Sequence, residues 1–233
     1  MVILPGSRTQ EVAHNLKRFL KAAAIVHASE PDARLAVAAF KPRQAERARR
    51  QVAASGLPVE VHAGQTAELI RLADCCMACS GSVSLELLYH ARPTVVLYRI
   101  SRAAYVVQWF LRKVKYITLV NLLAIDDPFA GDLRAPDPSQ PDAESVLFPE
   151  YLTCGDKSAQ IAAHVVEWLT DPAKREARIA ELARLRDEVG QGGASRHAAE
   201  YILKALLQRP APLPRPHFLP SEAGSRQRVA GSV

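Results

Sequence analysis

The sequence predicts an α/β fold in which helices cover both faces of a mostly parallel sheet. Short apolar runs alternate with amphipathic segments, and short links join them, as in doubly wound sheets. The small apolar run 74–79 is typical of a strand buried on both faces, and Gly81 allows a sharp turn into a following helix. With 233 residues, 48% of them apolar, the chain has room for one good-sized domain or two small ones.

The individual elements follow from the spacing of apolar residues. Strands are predicted at 1–4, 34–40, 59–63, 74–79 and 93–98, with a sixth extended piece at 116–124. Helices are predicted after Ser7, at 42–55, at 67–73, after Ser82, at 158–169, at 172–189 and at 194–208. Ser7 and Gln10 have the spacing of a capping box, and either Ser80 or Ser82 can cap the helix after the turn.

We expect a single folded domain over residues 1–208, followed by a tail. Four prolines and several acids between 125 and 149 predict a long, mobile loop. The segment 209–233 is rich in Pro, Arg, Ser and Gly and is expected to be disordered. Because the chain starts directly on a core strand, we also expect that its natural beginning has been cut away.

Charge and cysteine content exclude several classes of protein. Of the net charge of +6, the tail contributes half through four arginines and one glutamate, so nucleic-acid binding is not expected. Cys76 and Cys79 have no second Cys or His pair at zinc spacing, and we interpret the cysteines as small buried side chains without a metal. Reduced thiols, no signal peptide and no membrane-spanning run favour the cytoplasm.

One segment allows two interpretations. Residues 102–115 are apolar and aromatic and end in several basic residues. They are either packed in the core or rest on an anionic membrane surface, and we favour core packing.

Two loops carry the candidate site. Gly6, Ser7 and Arg8 follow the first strand, and Ser80, Gly81 and Ser82 follow the fourth. Loops at the carboxyl ends of parallel strands form ligand sites, and the helix starts that follow favour phosphate. Glu86, about one turn into its helix, is placed to bind paired hydroxyls such as those of a ribose. The alternative is an ordinary strand-to-helix connection with a surface glutamate.

Six motifs in the same order resemble the carboxyl-terminal half of the lipid-A-disaccharide synthase family. These enzymes are inverting glycosyltransferases with two Rossmann-like halves, the GT-B fold. The motifs are Ile3-Leu4-Pro5-Gly6-Ser7-Arg8 with Glu11, Ser80-Gly81-Ser82 with Glu86, Val95 to Arg99, Lys115 to Ala124, Pro149 to Leu152, and Gly193-Ala194-Ser195 with Ala198. The chain departs from the family pattern at Ser82 and Val120, where Thr and Pro are usual, and after Ala124.

The resemblance implies binding of the donor UDP-diacylglucosamine, which the family transfers to diacylglucosamine 1-phosphate with release of UDP. Gly6, Ser7, Arg8, Ser80, Gly81, Ser82, Glu86 and Asn121 would bind the donor nucleotide. Arg8 is the expected catalytic cation, because a planar guanidinium can bind two oxygens of the leaving diphosphate. No cofactor or metal is expected. Asn121 could instead serve as a cap at the end of a strand.

The resemblance also implies that an amino-terminal half, which holds the acceptor and the catalytic base, is the partner of this chain in cis or in trans. Alone, the chain is expected to be inactive. Two alternatives stay open: a non-catalytic module that binds a nucleotide or anion, and another UDP-sugar enzyme of the GT-B type, such as a UDP-sugar 2-epimerase.

Overall fold

The computed structural model describes residues 1–79, 81–111, 114–125, 146–190 and 193–207. Within these residues there is one sheet of six strands. The strands are β1 (Val2–Leu4), β2 (Leu35–Ala39), β3 (Val59–Ala63), β4 (Cys76–Cys79), β5 (Thr94–Arg99) and β6 (Glu150–Thr153). They lie in the order β3-β2-β1-β4-β5-β6, and every pair of neighbours is parallel. The predicted parallel sheet is therefore confirmed.

Helices follow most of the strands in the described part of the chain. They are α1 (Thr9–Ser29), α2 (Pro42–Ser55), α3 (Thr66–Leu72), α4 (Val83–Tyr89), α5 (Arg102–Leu111), α6 (Leu119–Leu123), α7 (Ser158–Thr170), α8 (Pro172–Val189) and α9 (Ala194–Leu207). The predicted helix 42–55 is confirmed. It ends at Gly56, whose φ of +70° lies in the left-handed region that favours glycine.

Apolar side chains of the central strands point alternately to the two faces of the sheet, as the period of a strand requires. Ile3 and Met77 are buried on the face covered by α1, α2 and α7. Leu4 and Ala78 are buried on the opposite face, against α3, α4 and α8. The predicted doubly wound, Rossmann-like fold is thus confirmed. Because helices cover both faces of the sheet, a ligand site is expected in the loops at the strand ends.

The region around the sixth strand was predicted wrongly. Residues 116–124 are not extended throughout, because their second half forms α6. A run of Leu, Val and Ile cannot by itself distinguish a strand from a buried helix. The sixth strand is instead β6, which starts at the buried Glu150. A carboxylate is seldom buried, so the local pattern around Glu150 does not predict a strand. The core packing favoured for 102–115 is also wrong for residues 102–107 of α5, which are all exposed.

The chain divides into two compact units, Met1–Gly190 and Gln191–Val233. The first unit contains the sheet, and α9 belongs to the second. Most of the predicted loop 125–149 and all of the predicted tail 209–233 lie outside the described residues. The boundary expected at residue 208 stays a prediction. Among the described helices, none combines the length and the hydropathy that crossing a bilayer requires.

Candidate functional site

The loop between β1 and α1 is fixed by a glycine. Gly6 has a φ of +120°, which side-chain-bearing residues rarely adopt. A Cβ atom at this position would lie 2.6 Å from Oε2 of Glu11 and 3.0 Å from Sγ of Cys79. The loop after β1 therefore packs directly against the end of β4. A larger residue at position 6 would push Glu11 or Cys79 away.

Glu11 ties this loop to the first turn of α1. Its Oε2 accepts hydrogen bonds from the backbone N–H groups of Ser7 and Arg8, both at 3.1 Å, and its Oε1 pairs with the Arg8 guanidinium at 3.2 Å. The predicted capping box of Ser7 and Gln10 is therefore wrong, because the helix starts after Arg8 and the carboxylate that satisfies the free N–H groups belongs to Glu11.

Arg8 lies at the mouth of the loop with most of its guanidinium in solvent. Its side chain is 84% exposed, and its ion pair with Glu11 is at the surface. Exposed ion pairs contribute only about 0–1 kcal/mol, so an incoming anion can compete with Glu11 for this cation. In the described structure the N–H groups of Thr9 and Gln10 have no acceptor. The start of α1 thus offers a mobile cation and free donors to an anion.

The second predicted loop lies beside the first one. Leu4 of β1 pairs with Ala78 of β4, so the loops that follow leave neighbouring strands at the same edge of the sheet. This confirms the predicted juxtaposition of the two loops. Ser80 lies outside the described residues. Gly81 has open space around its Cβ position and is exposed.

Ser82 does not cap α4 through its side chain, contrary to one of the two predicted caps. The hydroxyl of Ser84 instead donates to the carbonyl oxygen of Gly81 at 2.9 Å and closes the turn. Glu86 is half-buried in the first turn of α4, and its carboxylate has no hydrogen-bond or ion-pair partner in the part of the chain that the structure describes. Its side chain is available to a ligand.

A cleft of about 430 Å³ opens at the carboxyl ends of β1, β4 and β5. Its walls are the first two turns of α1, Cys79, and the residues at and after the end of β5. The lining side chains are Gln10, Glu11, His14, Asn15, Cys79, Leu97, Tyr98, Arg99, Ile100 and Ser101. The strand order reverses its direction between β1 and β4, and ligands of doubly wound folds bind at this switch point.

The cleft has a basic wall that the sequence did not reveal as part of the site. Arg99 is exposed at the end of β5, and it is near enough to Arg18 that its charge, together with burial, lowers the pKa of Arg18. Arg99 is among the lining residues and Arg18 is not, so Arg99 is the cation that this wall presents to an anionic ligand. The signals in the sequence were the position of Arg99 at a strand end, which many residues without a function share, and its place in the motif Val95 to Arg99, which assigned it no role.

Cys79 at the base of the cleft has little chemical reactivity. Burial raises the pKa of its thiol to about 12, so the thiol is protonated at neutral pH. Cys75 and Cys76 are buried as well, and all four cysteines are free. The interpretation of the three strand cysteines as small buried side chains is confirmed.

Asn121 lies in α6 rather than at a strand end. Both the Nδ2 and the Oδ1 atoms of its amide form hydrogen bonds within the protein. Its Nδ2 donates to the Phe148 carbonyl at 2.8 Å and to Glu150 at 3.2 Å, and its Oδ1 accepts from the Phe148 N–H at 2.9 Å. Asn121 is 2% exposed. A ligand contact would require this network to open, so its place among the donor-binding residues stays a prediction.

Glu150 is a buried carboxylate that joins β6 to the start of α6. It accepts hydrogen bonds from the N–H groups of Ile117 at 2.7 Å and Thr118 at 2.8 Å, in addition to the Asn121 amide. Three donors compensate for the loss of hydration of the carboxylate. Glu150 is thus a positioning residue for α6 that the sequence analysis placed only in a motif, because its partners are 29 to 33 residues away.

No group of three His, Cys, Asp or Glu side chains suited to a metal ion occurs among the described residues. The candidate site therefore consists of Arg8, the start of α1, the loop before α4 and the basic wall at Arg99. These groups can bind an anion and hydrogen-bond to hydroxyl groups. The expectation of a site without metal or cofactor stays a prediction.

Comparison with known proteins identifies the family. A family model described as lipid-A-disaccharide synthetase matches residues 1–132. A lipid-A-disaccharide synthase of Anaeromyxobacter sp. (strain K) is 33% identical over 214 residues, which cover 88% of this chain and 49% of the relative. The synthase of Thiobacillus denitrificans is 30% identical over 199 residues, covering 85% of this chain and 48% of the relative.

A lipid-A-disaccharide synthase of Myxococcus xanthus is 29% identical over 206 residues, which cover 88% of this chain and 49% of the relative. The chain thus spans about half the length of the curated relatives it matches. The matches extend over most of the described residues, including both strand-end loops. The chain therefore belongs to the lipid-A-disaccharide synthetase family.

Proposed function

We propose that this chain is the donor-binding part of a lipid-A-disaccharide synthase and that its cleft binds the UDP moiety of UDP-diacylglucosamine. The observation that carries the proposal is the position of the cleft at the β1–β4 switch point, with Arg99 in its wall and Arg8 paired with Glu11 of the same wall. A nucleoside diphosphate needs cations and N–H donors for its phosphates and an acceptor for its ribose hydroxyls. The family membership supports this ligand class.

In this proposal the diphosphate binds at the start of α1. Arg8 turns from Glu11 to the phosphate oxygens, and the N–H groups of Thr9 and Gln10 donate to them. During glycosyl transfer, negative charge grows on the leaving diphosphate, and Arg8 stabilises that charge. Gly6 and Ser7 shape the phosphate loop. Gly81 and Ser82 approach the donor from the neighbouring strand, and Ser80 is assigned to the donor by the resemblance alone. The Glu86 carboxylate, which has no partner among the described residues, binds the ribose.

The complete reaction requires more than this chain. Transfer to diacylglucosamine 1-phosphate needs an acceptor site and a base within hydrogen-bond reach of the attacking hydroxyl. We assign both to an amino-terminal half, because the chain spans 49% of the length of its relative from Anaeromyxobacter. We place the protein in the cytoplasm. No metal is assigned a role in holding the diphosphate.

Titration calorimetry tests the proposed ligand. We expect UDP to bind and uridine, which lacks the diphosphate, to bind much more weakly, because the cations and N–H groups recognise the phosphates. A Glu86→Gln variant should lose affinity for UDP but not for 2′,3′-dideoxy-UDP, which has no ribose diol. Absence of UDP binding at millimolar concentration would contradict the proposal. Equal affinity for UDP and uridine would contradict recognition of the diphosphate.

A further inference from the structure

Gln44 is a polar side chain buried in the first turn of α2. It is 2% exposed, whereas the other buried residues of this helix, Ala45, Ala48 and Val52, are all apolar. A buried amide destabilises a protein unless hydrogen bonds replace those that it made to water. The groups that Gln44 contacts should therefore explain why a polar residue lies there.

Both ends of the Gln44 amide are hydrogen-bonded. Its Nε2 donates to the carbonyl oxygen of Ser7 at 2.5 Å, and its Oε1 accepts from the backbone N–H of Lys41 at 3.0 Å. These partners fix the orientation of the amide, because a carbonyl can only accept and an N–H can only donate. The bond to Lys41 closes the start of α2, whereas the bond to Ser7 reaches the loop between β1 and α1, 37 residues earlier.

The bond to Ser7 holds one side of a peptide plane whose other side is already held. The peptide that joins Ser7 to Arg8 has its carbonyl oxygen on Gln44 and its N–H on Oε2 of Glu11, at 3.1 Å. A peptide unit is planar, so hydrogen bonds at both of its polar groups prevent the whole plane from turning over. The Cα atom of Arg8 belongs to this plane, and the direction of the plane sets where the Arg8 side chain leaves the backbone.

Gln44 and Glu11 hold the loop from different elements. Glu11 lies on α1, which follows the loop directly, and its bonds to the loop span only three or four residues. Gln44 lies on α2, which follows β2, the neighbour of β1 on the side away from β4. The loop that carries Arg8 is thus tied to two helices, and Gln44 provides the tie to α2.

We propose that Gln44 is a positioning residue for Arg8. By holding the Ser7–Arg8 peptide, it keeps Arg8 beside Glu11 at the wall of the cleft before a ligand arrives, so less conformational freedom is lost on binding. Gln44 itself is buried and does not touch the ligand. The fixed peptide requires no ligand, but its consequence, tighter binding of a diphosphate, rests on the proposed function.

Calorimetric titration with UDP tests this consequence. Gln44→Met has nearly the same size and removes both hydrogen bonds. We expect it to weaken UDP binding about three- to tenfold, the effect of one side chain that must be ordered on binding. Gln51→Met is the matched control, because Gln51 lies on the same helix and its Nε2 donates to the carbonyl oxygen of Ala13, outside the loop. Its affinity for UDP should equal that of the original chain.

A double-mutant cycle distinguishes the positioning of Arg8 from a general loss of stability. In a chain that already carries Arg8→Ala, Gln44→Met should have little further effect on UDP affinity, because the side chain that Gln44 positions is gone. An equal loss of affinity with and without Arg8→Ala would overturn the proposal. Unchanged UDP binding by Gln44→Met alone would also overturn it and would leave the proposed function intact.

Hydrogen exchange, followed by NMR, tests the fixed peptide without a ligand. Gln44→Glu keeps an acceptor for the Lys41 N–H but places a carboxylate oxygen against the Ser7 carbonyl. The Arg8 N–H should then exchange about three- to tenfold faster, the effect of losing one hydrogen bond on a local opening. Gln51→Glu is the matched control and should leave this rate unchanged.

The two measurements separate this proposal from the proposed function. An Arg8 N–H that exchanges equally slowly in Gln44→Glu and in the original chain would overturn the positioning role, even if UDP binds. Faster exchange in Gln44→Glu, together with no UDP binding by the original chain, would contradict the proposed function and still support the role of Gln44 in fixing the loop.

Discussion

Arg8 shows how one residue can hold a loop in the protein structure and bind a ligand in the proposed complex. In the structure it pairs with Glu11, but the pair is exposed and weak. The same guanidinium is the cation nearest to the free N–H groups of α1, and a charge-assisted bond to a phosphate is stronger than the surface pair it replaces. Glu11 holds the loop, and Arg8 is free to bind the ligand.

We therefore expect Arg8→Ala to weaken UDP binding by about 1.5–3 kcal/mol, the range for hydrogen bonds to charged groups. Calorimetric titration measures this change directly. Arg47→Ala is the matched control, because Arg47 is exposed in α2 and distant in sequence from both loops. Its affinity should equal that of the original chain. Unchanged binding by Arg8→Ala would remove Arg8 from the proposed leaving-group role.

Gly6 shows that the same loop depends on its backbone. Gly6→Ala should destabilise the protein, because the new Cβ would meet Cβ of Glu11 at 2.7 Å and φ is +120°. Gly56→Ala is the control, with a φ of +70° and nothing within 4 Å of its Cβ position. Positive φ alone costs about 1 kcal/mol, and we expect Gly6→Ala to cost at least about 1 kcal/mol more. Urea unfolding measures the loss of unfolding free energy for each variant. Equal losses would show that the Glu11 side chain moves away from the new Cβ at little energetic cost.

At the scale of elements, local signals predicted most of the fold. Strands β1, β2, β4 and β5 are short, mostly apolar runs, and β3 alternates apolar with polar residues. Helix α2 begins at Pro42 and ends before Gly56, so local sequence was sufficient for these elements. The pair of α6 and β6 was missed because it depends on contacts between Glu150 and residues 117–121, which are far apart in the sequence.

The candidate site divides in the same way. The loops after β1 and β4 were predicted from glycine and serine at strand ends, and their adjacency followed from the parallel sheet. The wall formed by His14, Asn15 and Arg99 was missed, because α1 and the end of β5 are far apart in the sequence and the motif that contains Arg99 gave no reason to assign it to the site. The role of Glu11 was missed because Ser7 offered a more familiar cap.

Replacement of Glu150 tests the link between α6 and β6. In Glu150→Gln the amide NH₂ group would face either the Ile117 N–H or both the Thr118 N–H and the Asn121 amide, so at least one buried donor would lose its acceptor. We expect the free energy of unfolding to fall by about 1–3 kcal/mol. Glu60→Gln, at a carboxylate that is 45% exposed and paired with Arg34, should have a much smaller effect. Similar losses in urea unfolding for both variants would contradict the importance of the buried network.

At the scale of the whole molecule, the chain spans about half the length of its relatives, and we propose that it supplies one half of the enzyme. The unit Met1–Gly190 contains the strand-end loops and the cleft. A donor can bind to such a unit without an acceptor site nearby. Glycosyl transfer also needs the attacking hydroxyl and its base held against the donor, and our proposal assigns both to the amino-terminal half.

We accordingly expect no disaccharide formation by the chain alone when UDP-diacylglucosamine and diacylglucosamine 1-phosphate are both supplied. Adding a matching amino-terminal half should restore some turnover, and the chain with Arg8→Ala should restore far less. Product can be followed by thin-layer chromatography of the lipid fraction. Turnover by the purified chain alone would contradict the assignment of the base to another segment.

The central claim, that the cleft at the β1–β4 switch point binds UDP, is tested most directly by amide chemical shifts. In a titration of the ¹⁵N-labelled chain with UDP, the largest changes should occur at Gly6 to Glu11 and at residues 98–101, because these segments form the phosphate loop and the basic wall. Residues of β3, at the far edge of the sheet, should be unaffected. Absence of changes at millimolar UDP, or changes centred away from these two segments, would contradict the claim.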